Sequence, residues 1–164
     1  MASHSPSQAK NAIRRSLLAI VDPELSNEER ATVRAYFENR CAYCDRAIET
    51  ERAGHIDHLE SRANDGRNHI FNRVLACALC NGDLKREGGW EEFLKNQSPD
   101  PAAFTRRRDR IREWRNRHAR VDSPAERKLL AIVKITAESA CAAYDESVKK
   151  VRELYKAHLE DDAS

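Results

Sequence analysis

Cys41 and Cys44 form one Cys-x-x-Cys pair, CAYC, and Cys77 and Cys80 form another, CALC. Only Cys141 stands outside the two pairs. Two short loops that each offer two thiolates can close a tetrahedral Zn²⁺ site and leave no ligand position for water. Such a site is structural. Disulfides would need an export context, and a thioredoxin-like redox pair would need a βαβ setting that this sequence lacks. The two pairs are separated by 32 intervening residues, more than a common zinc ribbon uses, so something is folded between them. Cys141 lies in a helical pattern and reads as a small buried apolar residue.

The insert carries a second set of chemically capable residues. It contains His55-Ile56-Asp57-His58, then Asn72, and Asn81 directly follows Cys80. Short apolar runs at 55–57 and 74–76 flank a polar loop with Asn64-Asp65-Gly66, which predicts a two-stranded hairpin with a wide loop. In this order CAYC, IDH, NRVLAC and CALCNGDLK resemble the HNH endonuclease family in its ββα-metal form, over about 45 of the 164 residues. The resemblance implies a zinc-stapled scaffold, held by Cys41, Cys44, Cys77 and Cys80, that presents a separate catalytic Mg²⁺ or Mn²⁺. It also implies roles: His58 as general base, Asp57 and Asn81 as ligands of the catalytic ion, and Asn72 as a brace for the loop carrying His58.

Those roles suit the residue types. Imidazole titrates near neutrality, and carboxylate and amide oxygens are hard donors of the kind a Mg²⁺-like ion takes alongside water. Adjacent strand residues point to opposite faces, so Asp57 and His58 can share a site only where the strand ends or bends. His55 is open between an extra metal or phosphate contact and a structural histidine, and His69 reads as a loop residue. One departure is the segment after His58, which reads LESRA where many relatives carry a proline.

Around this insert the sequence is helical. Charged residues make up 34% and aromatics 6%, with five Gly and five Pro. Few breakers and many charges predict a mainly α protein with a small α+β core. Helices are expected over 6–20, from the Ser26/Glu29 capping box to about 39, around Trp90, Phe93 and Leu94, over 103–120, and from Ser123-Pro124 to about 159. The expected organisation is N-terminal helices at 1–40, the HNH module at 41–95, an arginine-rich helix at 96–122 and a long helix at 123–164. Leu130, Val133, Ala137, Cys141, Tyr144, Val148, Val151 and Tyr155 recur in steps of three and four, close to a heptad seam. That seam suits an intramolecular helix, a homodimer or a docked protein partner.

Net charge is +2, but eight arginines fall between 106 and 120. Arg106, Arg107, Arg108, Arg110 and Arg112, with Arg62, Arg67, Arg73, Lys85 and Arg86 nearer the insert, suit contacts to a nucleic-acid backbone. A solvated helix face is the plainer alternative. Duplex DNA is the expected substrate, with RNA or single strands as other options. The first residues lack an apolar core of the secretory kind, and no run approaches ~18 apolar residues, so a cytoplasmic chain without a membrane span is expected. Two other functional readings stay open: a non-catalytic Cys₄ zinc-finger module that binds nucleic acid or protein, and the nuclease subunit of a defence, restriction or mobile-element assembly.

Overall fold

The computed structural model describes residues 5–82 and 89–161. In chain order it forms α1 (Pro6–Val21), α2 (Asn27–Tyr36), β1 (Gly54–His58), β2 (Arg73–Cys77), α3 (Ala78–Asn81), α4 (Trp90–Asn96), α5 (Pro101–Arg117) and α6 (Pro124–Asp161). The fold is mostly helical, with one small antiparallel sheet among the described residues. This is the expected class. The chain divides into two compact units, Met1–Pro23 with Asp122–Ser164, and Glu24–Val121.

In the first unit both helices begin on reciprocal caps. Ser5 accepts from the Gln8 amide at 3.3 Å and its own amide donates to Gln8 Oε1 at 2.9 Å. Ser123 and Glu126 repeat this at the start of α6, at 3.2 and 2.8 Å. Each pair satisfies two amides that a helix start leaves without partners. Lys10 meets Asp145 at 2.8 Å and Arg14 meets Glu138 at 2.7 Å, so α1 and α6 run antiparallel. Ala137 and Cys141 are buried at their seam, where α1 supplies an intramolecular partner. Val151 and Tyr155, further along the same apolar series, are 63% and 65% exposed. No helix among the described residues is long and apolar enough to cross a membrane.

The second unit builds the hairpin and its support. Ser26 and Glu29 cap α2 reciprocally, and the helix buries Val33. It stops at Tyr36, short of the expected residue 39, because Glu38 and Asn39 adopt left-handed backbone (φ 53° and 51°). That reversal delivers Cys41 to a tight knuckle, closed by the Arg40–Ala47 bridge and by the Cys41 amide on Arg46 O at 2.9 Å.

The two strands pair Gly54 with Cys77 and His58 with Arg73, so the hairpin sets the first functional residues opposite the start of the second strand. All five residues of β2 are buried. Leu75, Phe37, Tyr43, Leu94, Ile111 and Trp114 share its core; each large apolar side chain there contributes roughly 1.5–3 kcal/mol.

Pro101 opens α5 behind the Asp100 cap, and Ile111 and Trp114 lie on its buried face. The Trp114 indole donates to Arg73 O at 2.8 Å and to Ile70 O at 3.1 Å, fixing the chain where it enters β2. In the wide loop Gly66 cannot be replaced without movement. A Cβ there would stand 1.9 Å from Glu60 O.

Candidate functional site

The Sγ atoms of Cys41, Cys44, Cys77 and Cys80 all lie within 4.8 Å of one another, and those of Cys44 and Cys77 approach to 3.7 Å. Thiolates about 2.3 Å from a tetrahedral ion stand about 3.8 Å apart, so the cluster has the dimensions of a zinc site. The four sulfurs are free thiols, not disulfides. Each comes from a fixed position. Cys41 and Cys44 sit on the knuckle, tied to β2 by the Ala42 amide on Leu75 O at 2.8 Å, while Cys77 caps α3 and Cys80 lies inside it.

Burial pushes the Cys41 thiol up to about 11 and that of Cys80 higher. Burial also acts on Cys77, but the Cys80 amide and the neighbouring sulfurs outweigh it and the thiol falls below its usual value. Thiols this close repel one another once ionised, and a bound dication removes that penalty. These four residues can hold zinc.

The knuckle also reaches the insert. Tyr43, between the first two cysteines and fully buried, donates its hydroxyl to Asp57 Oδ2 at 2.9 Å. Burial and the Asp57 charge push this hydroxyl well above its usual pKa, so it remains a donor. Nothing in the expected site included Tyr43; an aromatic with a polar handle between two ligating cysteines was the available signal.

Asn81 is exposed at the end of α3. It lines a cleft of about 940 Å³ with His55, Ile56, Asn27, Arg30 and Arg34, and neither Asp57 nor His58 is among that cleft's walls. His55 is exposed there. His69 instead stacks on Phe71, ring centres 5.5 Å apart.

His58, the last residue of β1, is engaged through both ring nitrogens. Arg73 Nη1 lies 3.1 Å from Nδ1, and Asn68 Oδ1 lies 2.9 Å from Nε2. A guanidinium only donates, so Nδ1 is the acceptor and the ring proton sits on Nε2, donating to Asn68. Asn68 Oδ1 also accepts closely from Arg73 Nη2, which agrees with that amide orientation. Burial first, and the Arg73 charge second, hold His58 below its ordinary pKa. It is therefore a neutral imidazole at neutral pH with one defined lone pair.

Asn72 is 2% exposed and ties the loop after His58 to the start of β2. Its Oδ1 accepts from the Glu60 amide at 2.9 Å, and its Nδ2 donates to Glu60 O at 3.0 Å and Arg67 O at 2.9 Å. Its backbone O accepts from the Leu59 amide at 2.8 Å. The segment after His58 is thus held by the bonds of the Asn72 side-chain amide.

The arginines are differently placed from a simple basic face. Arg73, expected among the nucleic-acid contacts, is 4% exposed, and its guanidinium meets Glu24, Asn68, His58 and Ile56 O. A buried cation needs internal acceptors, and these serve its two Nη groups. Arg107 donates to Tyr43 O at 3.0 Å and Cys44 O at 3.2 Å, bracing the knuckle from α5. Arg110 bonds Tyr36 O and pairs with Glu38, Arg112 pairs with Glu91, and Arg108 pairs with Asp109. Arg106 is exposed, and Arg67 is half-buried. Arg62 lies 3.9 Å from Glu24. Lys85 and Arg86 fall outside the described residues.

One consequence is measurable on the protein alone. Arg107→Ala should lower the stability of the zinc-loaded second unit by roughly 2 kcal/mol, because it strips charge-assisted bonds from two carbonyls of the knuckle. Thermal unfolding followed by tryptophan emission reads this. Unchanged unfolding together with weakened DNA binding would make Arg107 a backbone contact instead.

A two-stranded hairpin, a short helix leaving its second strand and a four-cysteine staple together define a small ββα metal-binding unit with a histidine at the end of the first strand. Residues 41–87 match the family model for HNH endonuclease, as their motifs lead one to expect. The match spans both cysteine pairs, β1, β2 and α3, and does not extend to the N-terminal helices, α4, α5 or α6. No curated protein is similar enough to match the chain.

Proposed function

We propose that this protein is a metal-dependent endonuclease that hydrolyses phosphodiester bonds in nucleic acid, with duplex DNA as its preferred substrate and His58 as the general base. The observation that carries the reading is the HNH family match over 41–87, within which His58 ends β1 beside Asp57. The neutral state of His58 and its single lone pair support it. In the reaction an attacking water gives its proton to His58 Nδ1 while its oxygen bonds to phosphorus. The bond from phosphorus to the 3′ oxygen breaks, and that oxygen takes a proton from solvent. Asn68 steadies the imidazole through Nε2, and Asn72 steadies the loop behind it.

Among the described residues the four cysteines are the only group of three or more His, Cys, Asp or Glu that could hold an ion. A second, catalytic ion would rest on few protein ligands, the Asp57 carboxylate and the Asn81 amide oxygen, with water completing its shell. That donor set suits Mg²⁺ or Mn²⁺. Such an ion, when bound, neutralises charge on the non-bridging and leaving oxygens. Tyr43 would orient the Asp57 carboxylate from the zinc knuckle.

Supercoiled plasmid tests the proposal. The wild-type protein should nick it with Mg²⁺ or Mn²⁺. Asp57→Ala and Asn81→Ala should each lose roughly tenfold to a hundredfold in rate at limiting ion, as ligand or outer-shell losses do, while zinc content stays at the wild-type level. Full activity of both variants at limiting ion would remove them from the site. A zinc-loaded wild type that binds but never cuts would favour the non-catalytic Cys₄ module. The exposed Val151, Leu154, Tyr155 and Leu159 of α6 support a role as the nuclease subunit of a larger assembly.

A further inference from the structure

The guanidinium that covers His58 is itself held by an acid, and that acid is crowded with cations. The Glu24 carboxylate receives Arg73 at 2.7 Å, Arg30 at 3.7 Å and Arg62 at 3.9 Å. Arg73 is 4% exposed, whereas Glu24 is 53% exposed and lies in the irregular segment before α2. One carboxylate would neutralise one buried arginine; three converge on this one. The Arg73 Nε–H, meanwhile, is buried with no acceptor, the one side-chain atom in that position among the described residues. A buried donor left without a partner costs about 1–3 kcal/mol, so the cluster is not satisfied by Glu24 alone.

We propose that Arg30, Arg62 and Arg73 form a phosphodiester-binding site beside His58, and that Glu24 occupies it as an internal anion until the nucleic acid displaces it. The idea rests on the nuclease reading and specifies where its substrate docks. Guanidinium groups match phosphate oxygens in the same forked geometry with which they match a carboxylate. Glu24, half exposed, can turn to water when a phosphate arrives. Arg73, fully enclosed, cannot leave and changes partner instead. The phosphate takes the place of Glu24 on Arg73 Nη2, and as the guanidinium shifts toward it Nη1 draws away from His58 Nδ1, whose lone pair becomes available to water. Docking of substrate thus uncovers the base.

The test is binding of a short fluorescein-labelled DNA duplex without added divalent ion, so that no cleavage intervenes. Glu24→Gln should tighten the Kd about fivefold, the worth of about 1 kcal/mol. Glu38→Gln, which removes an equal charge from the Arg110 pair, should change it less than about twofold. Glu24→Asp keeps the charge but draws the carboxylate back, and should tighten binding in the same direction. It carries the test if Glu24→Gln does not fold.

In ¹⁵N spectra of the wild type the His58 Nδ1 signal should move from its hydrogen-bonded position as duplex is added. Unchanged or weaker binding by the Glu24 variants, or an equal gain in Glu38→Gln, would overturn the proposal. Wild-type plasmid nicking separates the two ideas: nicking without a Glu24 effect leaves the nuclease and removes the internal anion. A wild type that neither binds nor nicks removes both.

Discussion

Cys80→Ser should unfold the Glu24–Val121 unit at ambient temperature. Structural zinc in a four-ligand site contributes on the order of 10 kcal/mol or more to folding, and a domain's net stability is about 5–15 kcal/mol. Losing one ligand removes much of the first quantity and so consumes most of the second. The effect should be concentrated in this unit because the cysteines hold its parts to one another: the knuckle before β1, the end of β2 and the start of α3. Both tryptophans, Trp90 and Trp114, are buried in the same core. Their emission should shift to the red in Cys80→Ser, with zinc below one equivalent per chain. Cys141→Ser provides the contrast. That thiol is buried against α1, 3.7 Å from Lys10 O, and its loss should cost about 1 kcal/mol with zinc and tryptophan emission unchanged. Wild-type unfolding and emission in Cys80→Ser would remove the staple from the account.

The scaffold was legible because its signals are local. Ser26/Glu29 and Ser123-Pro124 mark helix starts through bonds made within one turn, and the apolar runs around Ile56 and Leu75 are short and lie between turn residues, as strands of a hairpin do. The four cysteines are legible together because metal ligands come in spaced pairs. What escaped the sequence depends on contacts across the fold. Nothing in the string VDPEL marks Glu24 as the partner of Arg73, 49 positions away. Arg73 shows why charge alone misleads: a cation opening an apolar strand looks the same in sequence whether it faces solvent or lies enclosed. The arginines of α5 divide for the same reason. Their helix was predictable, but whether each guanidinium meets a carbonyl, a carboxylate or water is set by what packs beside it. Helix α2 ended early through backbone conformation at Glu38 and Asn39, which neither residue type demands.

His58→Ala should reduce metal-dependent plasmid nicking by about a hundredfold to ten-thousandfold, the usual range for losing a positioned general base. The expected loss follows from the lone pair at Nδ1. Asn68 fixes the ring proton on Nε2, and burial together with Arg73 keeps the imidazole neutral, so the side chain is prepared to accept one proton at one nitrogen. Alanine removes that acceptor, and it also takes a partner from the enclosed Arg73. A drop in rate alone is therefore ambiguous between lost proton transfer and a disturbed arginine. Zinc content and unfolding temperature measure the disturbance. Added imidazole measures the proton transfer, because a free base small enough to enter the space left by the ring can restore part of the rate without restoring any tether. Rescue in a zinc-loaded His58→Ala protein would put the lost function in the imidazole itself. A folded variant whose rate is low and unmoved by imidazole would assign His58 to holding Arg73. Cleavage at the wild-type rate would send the search for the base elsewhere in the chain.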